Sequence, residues 1–284
     1  MMIKRKKYIN LFLLLIIQFV PFSVKANVRH DSNIYNELTN LGFTSDEIKN
    51  MDDNEINMNK GLNGVVVSNT VKYLKTDFYL SDNNEVVSET IELTKENYDN
   101  TKYFSINNTR GINNGYIETS YKKMTTTIAS TNAGYRYKVS LEWKTIPKHR
   151  GYDVIGIGIS NNVYISSSFT FKQSYCYSNG NCSNSSESVP RETNYGGAAL
   201  FALPSSNTIS SLSSYLYFNI SKRNSSNTIT NLNAYGDYSH NTKNISLNNA
   251  NTYDISSNGI NISSQFLNYY DEIGVAKATW TGSW

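Results

Sequence analysis

Apolar residues recur along this chain with two different periods. Between residues 32 and 60 the spacing is helical: Ile34, Leu38 and Leu41 share a face, and Gly42 is placed to end the run. Thr44-Ser45-Asp46-Glu47 has the form of a capping box, in which the threonine hydroxyl takes the Glu47 amide and the glutamate reaches back. Phe43 and Ile48 stand where a hydrophobic staple would put them, and Asp52-Asp53-Asn54-Glu55 can start a further short turn. The piece is too small to bury a core alone. It predicts a helical hairpin laid against a larger body, or a prosegment or partner-binding arm.

From Gly61 onward the period switches to two. Strands are predicted over 65–78 and 85–93 around Ser81-Asp82-Asn83-Asn84, and over 116–130 and 135–146 around Thr131-Asn132-Ala133-Gly134. The last of these alternates best, with Tyr135, Tyr137, Val139, Leu141 and Trp143 on one face. Arg136, Lys138, Ser140, Glu142 and Lys144 lie on the other, which predicts one face on a core and one in water. In 154–159, Ile155, Ile157 and Ile159 share a face while Gly156 and Gly158 leave the other bare. Such glycines mark a close approach, here expected from a large ring such as Trp143 rather than from a ligand groove. Further strands are predicted over 163–177, 198–203, 214–222, 228–235, 243–247, 252–256, 259–263 and 272–280. Turn signals at this spacing predict a mainly β chain, an antiparallel β-sandwich with a short N-terminal helical hairpin. A boundary near 110–115, where asparagines cluster, divides it into a helical segment over 27–60, a β-hairpin region over 61–112 and a sandwich domain over 113–284.

The first 26 residues stand outside this scheme. Lys4-Arg5-Lys6-Lys7 precede an apolar run from Leu11 to Val20, Pro21 follows, and Val24-Lys25-Ala26 offers a cleavage site. This is the layout of a secretory signal peptide, with an apolar run too short for a spanning helix of ~20 residues. The formal charge of +3 belongs largely to it. Without Met1–Ala26, five of the 26 basic residues go, leaving 21 against 23 acidic ones. No basic block remains to bind nucleic acid, and no transmembrane segment is expected in the mature chain. The expected location is outside the cell, secreted or loosely held at the surface.

Export gives the two cysteines an oxidising setting. Cys176 and Cys182 enclose Tyr177-Ser178-Asn179-Gly180-Asn181. A two-residue Asn-Gly turn would leave them out of register. A three-residue loop, Ser178-Asn179-Gly180, sets them opposite each other with Gly180 in the left-handed region, and predicts a cross-strand disulfide. No metal site is expected there, because zinc needs about four ligands and no histidine is near in sequence.

The three histidines, His30, His149 and His240, form no His-Glu-x-x-His motif, and no Gly-x-Ser-x-Gly elbow is present. His149 reads as solvated in the basic turn Lys148-His149-Arg150. Asp237 with His240 supplies at most half of a triad, so no catalytic residue is assigned. Asp53 to Asn57 has oxygen ligands for calcium, but Met58 stands where an EF-hand needs glycine. No cofactor or metal is expected. For membrane attack the best strand is 119–129, yet Lys122 and Lys123 sit in its middle, which fits an edge strand protected by lysines. What remains is aromatic surface. Tyr175 and Tyr177 flank Cys176, and Tyr195 precedes Gly196-Gly197, as candidate binding residues for sugars or protein partners.

Tyr121 to Trp143, Tyr235-Gly236-Asp237-Tyr238-Ser239-His240 and the closing Ala276-Lys277-Ala278-Thr279-Trp280 are similar to uncharacterised exported proteins of low-GC Gram-positive bacteria. The resemblance covers most of the mature chain. It implies export from such a bacterium and carries no activity or site. The leading expectation is an extracellular β-sandwich that binds a cell-wall polymer, a glycan or a host protein. A membrane-active toxin-like protein and an extracellular hydrolase are the alternatives.

Overall fold

The computed structural model describes residues 32–83, 85–101, 116–271 and 273–284. The proposed signal peptide and the 110–115 boundary lie outside them. Three short helices come first among the described residues, α1 (Ser32–Asn40), α2 (Ser45–Lys49) and α3 (Asp53–Asn59). Strands β1 (Val65–Leu80) and β2 (Val86–Leu93) follow, then α4 (Lys95–Asn100), β3 (Tyr116–Thr131), β4 (Gly134–Trp143), β5 (Tyr152–Ile159) and β6 (Val163–Tyr177). Next come β7 (Cys182–Ser185), β8 (Val189–Thr193), β9 (Gly196–Ala202), β10 (Ile209–Lys222) and β11 (Asn231–Ser239). The chain closes with α5 (Leu247–Ala250), β12 (Asp254–Ser256), β13 (Gly259–Asn261), a 3-10 turn at Leu267–Tyr269 and β14 (Ala276–Thr281).

The strands form an antiparallel sandwich. Seven pair in the order β2-β1-β3-β4-β10-β6-β7 and five in the order β14-β11-β5-β9-β8. Met124, Ile128, Tyr137, Val139 and Leu141 of the larger sheet meet Ile155, Ile157, Ile159, Ala234 and Ala278 of the smaller one in the main core. β1 pairs with β3 from Val65↔Ser130 to Tyr79↔Tyr116, so the 61–112 region and the strands after 113 share one sheet.

Local chemistry places the ends of several elements. The Thr44 box is present: Thr44 Oγ1 accepts from the Glu47 amide at 3.3 Å and Glu47 Oε2 accepts from the Thr44 amide at 2.7 Å. Phe43 and Ile48 are buried in one cluster, as a staple requires. Cys176 faces Cys182 across the β6–β7 ladder, joined by a disulfide of 2.05 Å. The loop between them closes through a Gly180 amide donating to the Tyr177 carbonyl at 2.9 Å, with Gly180 at φ +86°. That conformation is costly for any residue with a Cβ. Over 243–247 no strand forms, because Ser246 caps α5 by accepting from the Asn249 amide at 3.3 Å. Cap chemistry outweighs the short β-prone run there.

Three expectations about faces are corrected. The polar face of β4 does not meet water: Arg136, Lys138 and Ser140 are buried, because α1 to α3 lie across the outer side of the seven-stranded sheet. β3 is not an edge but lies between β1 and β4, and Lys122 is wholly buried within the sandwich. Trp143 covers neither Gly156 nor Gly158: Gly156 is approached by the side chains of Ala198 and Ile260, and Gly158 by backbone. A Cβ on Gly158 would stand 2.5 Å from the Ser256 carbonyl oxygen and 2.7 Å from the Gly259 nitrogen, so the β12–β13 hairpin sits directly on β5. Around it, Tyr253, Ile255 and Tyr270 cover the outer side of the smaller sheet. Four layers result: helical cap, large sheet, small sheet, C-terminal cover.

Candidate functional site

Charged residues buried inside the sandwich converge at one end. On the inner face of β3, Lys122 Nζ donates to Asp271 Oδ2, and both side chains are fully buried. The other oxygen of Asp271 accepts from the His240 amide at 2.9 Å. His240 Nδ1 lies 3.0 Å from both carboxylate oxygens of Asp153, to which it donates. Asp153 also accepts from the Asn241 amide at 2.9 Å and from the Tyr238 hydroxyl. Asn241 carries the chain outward, its Oδ1 accepting from His149 Nε2 at 3.1 Å. His149 is thus a half-buried member of the network rather than a solvated turn residue.

The aromatic wall of this network is Trp143, 4.9 Å from the His240 ring and 4.9 Å beneath the Lys122 ammonium, with Phe78 edge-on to His240. Trp143 does its packing here, which is why it is not available to cover the β5 glycines. His240 Nε2 is buried with no hydrogen-bond partner among the described residues. Glu118 stands nearby on β3. Burial raises its pKa, against the Lys148 amide and the charges of Lys148 and the histidines. The Asp237–His240 pair considered from sequence does not form. Asp237 points to the other side of β11, where its oxygens accept from the Tyr238 amide at 2.8 Å and the Ile260 amide at 2.9 Å.

Asp237 and Asp271 both line an open cleft of ≈ 530 Å³ between the edge strand β2 and the C-terminal cover. Leu74, Ile91, Ile260, Ile262, Leu267 and Ile273 supply apolar walls, with the Tyr270 ring beside them; Thr90, Glu92 and Ser239 supply polar atoms. Ile91 and Leu267 form an exposed apolar rim at 45% and 44% accessibility. Burial pushes the pKa of Asp237 up to about 6, against the two amide donors and Lys72. Tyr270 is buried and its hydroxyl has no hydrogen-bond partner among the described residues. A second hollow of ≈ 410 Å³ continues along β2 past Glu85, Val86, His149 and Lys243.

The tyrosines proposed from sequence lie elsewhere. Tyr175 and Tyr177 meet edge to face, 5.6 Å between ring centroids, half-buried on the main core beside the disulfide. Tyr195 is half-exposed in the turn between β8 and β9. Its neighbour Asn194 is held by Arg223, whose amide bonds Asn162 at the start of β6, whereas Tyr175 and Tyr177 end that strand. At roughly 3.3 Å per residue, a strand of this length sets them tens of ångströms apart. The structure pairs Tyr175 with Tyr177 and leaves Tyr195 alone. Sequence reasoning missed Asp153 and Asp271. The signal for Asp153 was an acid at the head of the apolar run Val154 to Ile159, and for Lys122 a cation within a strand; nothing local marked Asp271.

Among the described residues, no group of three or more His, Cys, Asp or Glu is placed to hold a metal ion. None of their helices is long and apolar enough to cross a membrane. No family model, curated protein or solved structure matches this chain.

Proposed function

We propose that this chain is exported and binds an extracellular neutral glycan, of the kind presented by cell-wall strands, in the cleft beside β2. The observation that carries the reading is the cleft itself. Its volume of ≈ 530 Å³ lies in the range of small-ligand sites, roughly 300–1,000 Å³. Aliphatic walls suit the apolar face of a sugar ring. Carboxylate and hydroxyl oxygens at Asp237, Glu92, Ser239 and Thr90 suit its hydroxyl groups. The titratable groups lining it are all acids, which disfavours an anionic ligand there. Export is supported by the leader pattern and by the disulfide. Compared with a hydrolase, a binding role fits better, because His240 is wholly buried and sealed behind Trp143 and Phe78.

The test is co-sedimentation of oxidised 27–284 with wall sacculi stripped of anionic polymers, alongside lipid vesicles. Pelleting with sacculi, reduced roughly tenfold in affinity by Asp237→Asn with Glu92→Gln, is the expected result, two polar contacts being weakened. If Tyr175→Ala with Tyr177→Ala abolishes binding and the cleft variants do not, the site assignment is wrong. Pelleting with vesicles alone would overturn the glycan reading.

A further inference from the structure

The outer face of the seven-stranded sheet carries cations interleaved with tyrosines. Lys138 on β4 stands beside Tyr217 on β10, and Ser140 beside Tyr215, which stands beside Lys172 on β6. One register step further, Arg136 stands beside Asn219. Neighbouring strands place such side chains roughly 5 Å apart, and alternate residues along a strand roughly 7 Å apart. The Arg136 guanidinium lies 4.5 Å over the Tyr217 ring, and Lys138 lies 5.6 Å from that of Tyr215.

The helical cap meets this lattice with acids and one amide. Glu47 takes Lys138 with both oxygens, at 2.8 and 2.9 Å. Lys138 also reaches the Gly42 carbonyl at 3.1 Å and Ser140 Oγ at 2.6 Å. Asp52 takes Lys172 at 2.6 Å; Glu55 accepts from the Tyr215 hydroxyl at 2.7 Å and lies 3.8 Å from Lys172. Asn59 bonds both Arg136 and the Tyr217 hydroxyl. Each cation therefore has an acid or amide oxygen from the cap in a place where a polymer's oxyanion would fit.

The distribution of apolar residues points the same way. Of the nine buried members of the cap cluster, six (Leu38, Leu41, Phe43, Ile48, Met51, Ile56) belong to the cap. The sheet contributes only Ala129, Tyr215 and Tyr217. Replacing a buried ion pair with apolar residues of similar volume is often neutral or stabilising, so stability alone does not account for the cations kept on this face. This face keeps the polar pattern of a surface that meets water. The cap is joined to β1 by a short tether that turns through Gly61 and Asn63 at φ +77° and +41°; Leu62 packs on the cap cluster, and Asn132 donates to the Gly61 and Leu62 carbonyls.

We propose that this face, around Arg136, Lys138, Lys172, Tyr215 and Tyr217, is a docking surface for an anionic polymer, and that residues 32–60 occupy it until that partner displaces them. The proposal stands apart from the glycan cleft, whose lining is acidic.

The experiment uses the full 27–284 chain with a protease site inserted in the tether between Gly61 and Leu62. Cut and uncut forms are titrated with long-chain polyphosphate and, separately, with poly-glutamate, which distinguishes phosphate from carboxylate recognition. Release of the 27–61 fragment is followed by size exclusion, and β4 and β10 protection by hydrogen exchange. The expected result is polyanion binding that releases the fragment from the cut form while β4 and β10 stay protected. Lys138→Gln with Lys172→Gln should weaken that binding at least about tenfold, and Glu47→Gln with Asp52→Asn should strengthen it. Three results overturn the proposal: no binding of either polymer to the cut form, binding unchanged by the lysine variants, or loss of sheet protection whenever the fragment leaves.

Discussion

Replacing Asp237 by Asn should change the pH dependence of stability in a definite direction. Asp237 is buried in the cleft wall, and its pKa rises from 3.8 to about 6. A raised carboxyl pKa means the folded state binds the proton more tightly than the unfolded state does. Stability from this group is therefore full below pH 3.8 and lost as pH rises through about 6. A shift of that size corresponds to about 3 kcal/mol in order of magnitude. The substitution also swaps one acceptor oxygen for a donor beside the Tyr238 and Ile260 amides, at a pH-independent cost of about 1–3 kcal/mol. At low pH the variant should thus be the less stable protein, and by pH 7 it should equal the wild type or exceed it by up to about 2 kcal/mol. For a chain of this size the difference in Tm should move by roughly 6–12 °C across that window, against the wild type as pH rises. Differential scanning calorimetry of both proteins from pH 4 to 7 measures it. Groups that do not sense Asp237 cancel in the difference; Lys72 and Asp271 do sense it and set the residual. A flat difference, or a wild type that gains on the variant as pH rises, would refute the account of a carboxyl held neutral by burial.

Other changes test other layers. Cys182→Ser opens a loop of only a few residues, so guanidinium unfolding should show a loss of about 2 kcal/mol. Lys122→Met removes the buried cation that faces Asp271, at a cost of about 3–5 kcal/mol in urea titrations, and adding Asp271→Leu should recover most of it. Gly158→Ala should push the β12–β13 hairpin off β5, costing about 1–3 kcal/mol and raising amide exchange over 254–261 first. If exchange there is unchanged, the hairpin is not what holds that glycine.

Features carried by a few adjacent residues were legible in the sequence. The Thr44 box, the Gly180 loop with its disulfide and the period-two strands over 65–78, 116–130 and 163–177 all rest on interactions spanning a handful of positions. Their geometry follows from backbone sterics and short-range hydrogen bonds. The alternation in β4 was read correctly as two faces, but periodicity states only that the faces differ, not what lies against each. Arg136 and Lys138 read as solvent residues because their partners, Asn59 and Glu47, lie about eighty to ninety positions away in sequence. Asp153, His240 and Asp271 likewise meet only after two sheets and a C-terminal cover have packed. Desolvation then decides their chemistry, turning isolated acids and bases into an obligatory network whose members each need the others once water is gone. The chain's local pattern determined the strands; the tertiary contacts decided which of their charged residues are buried and which acids line the cleft.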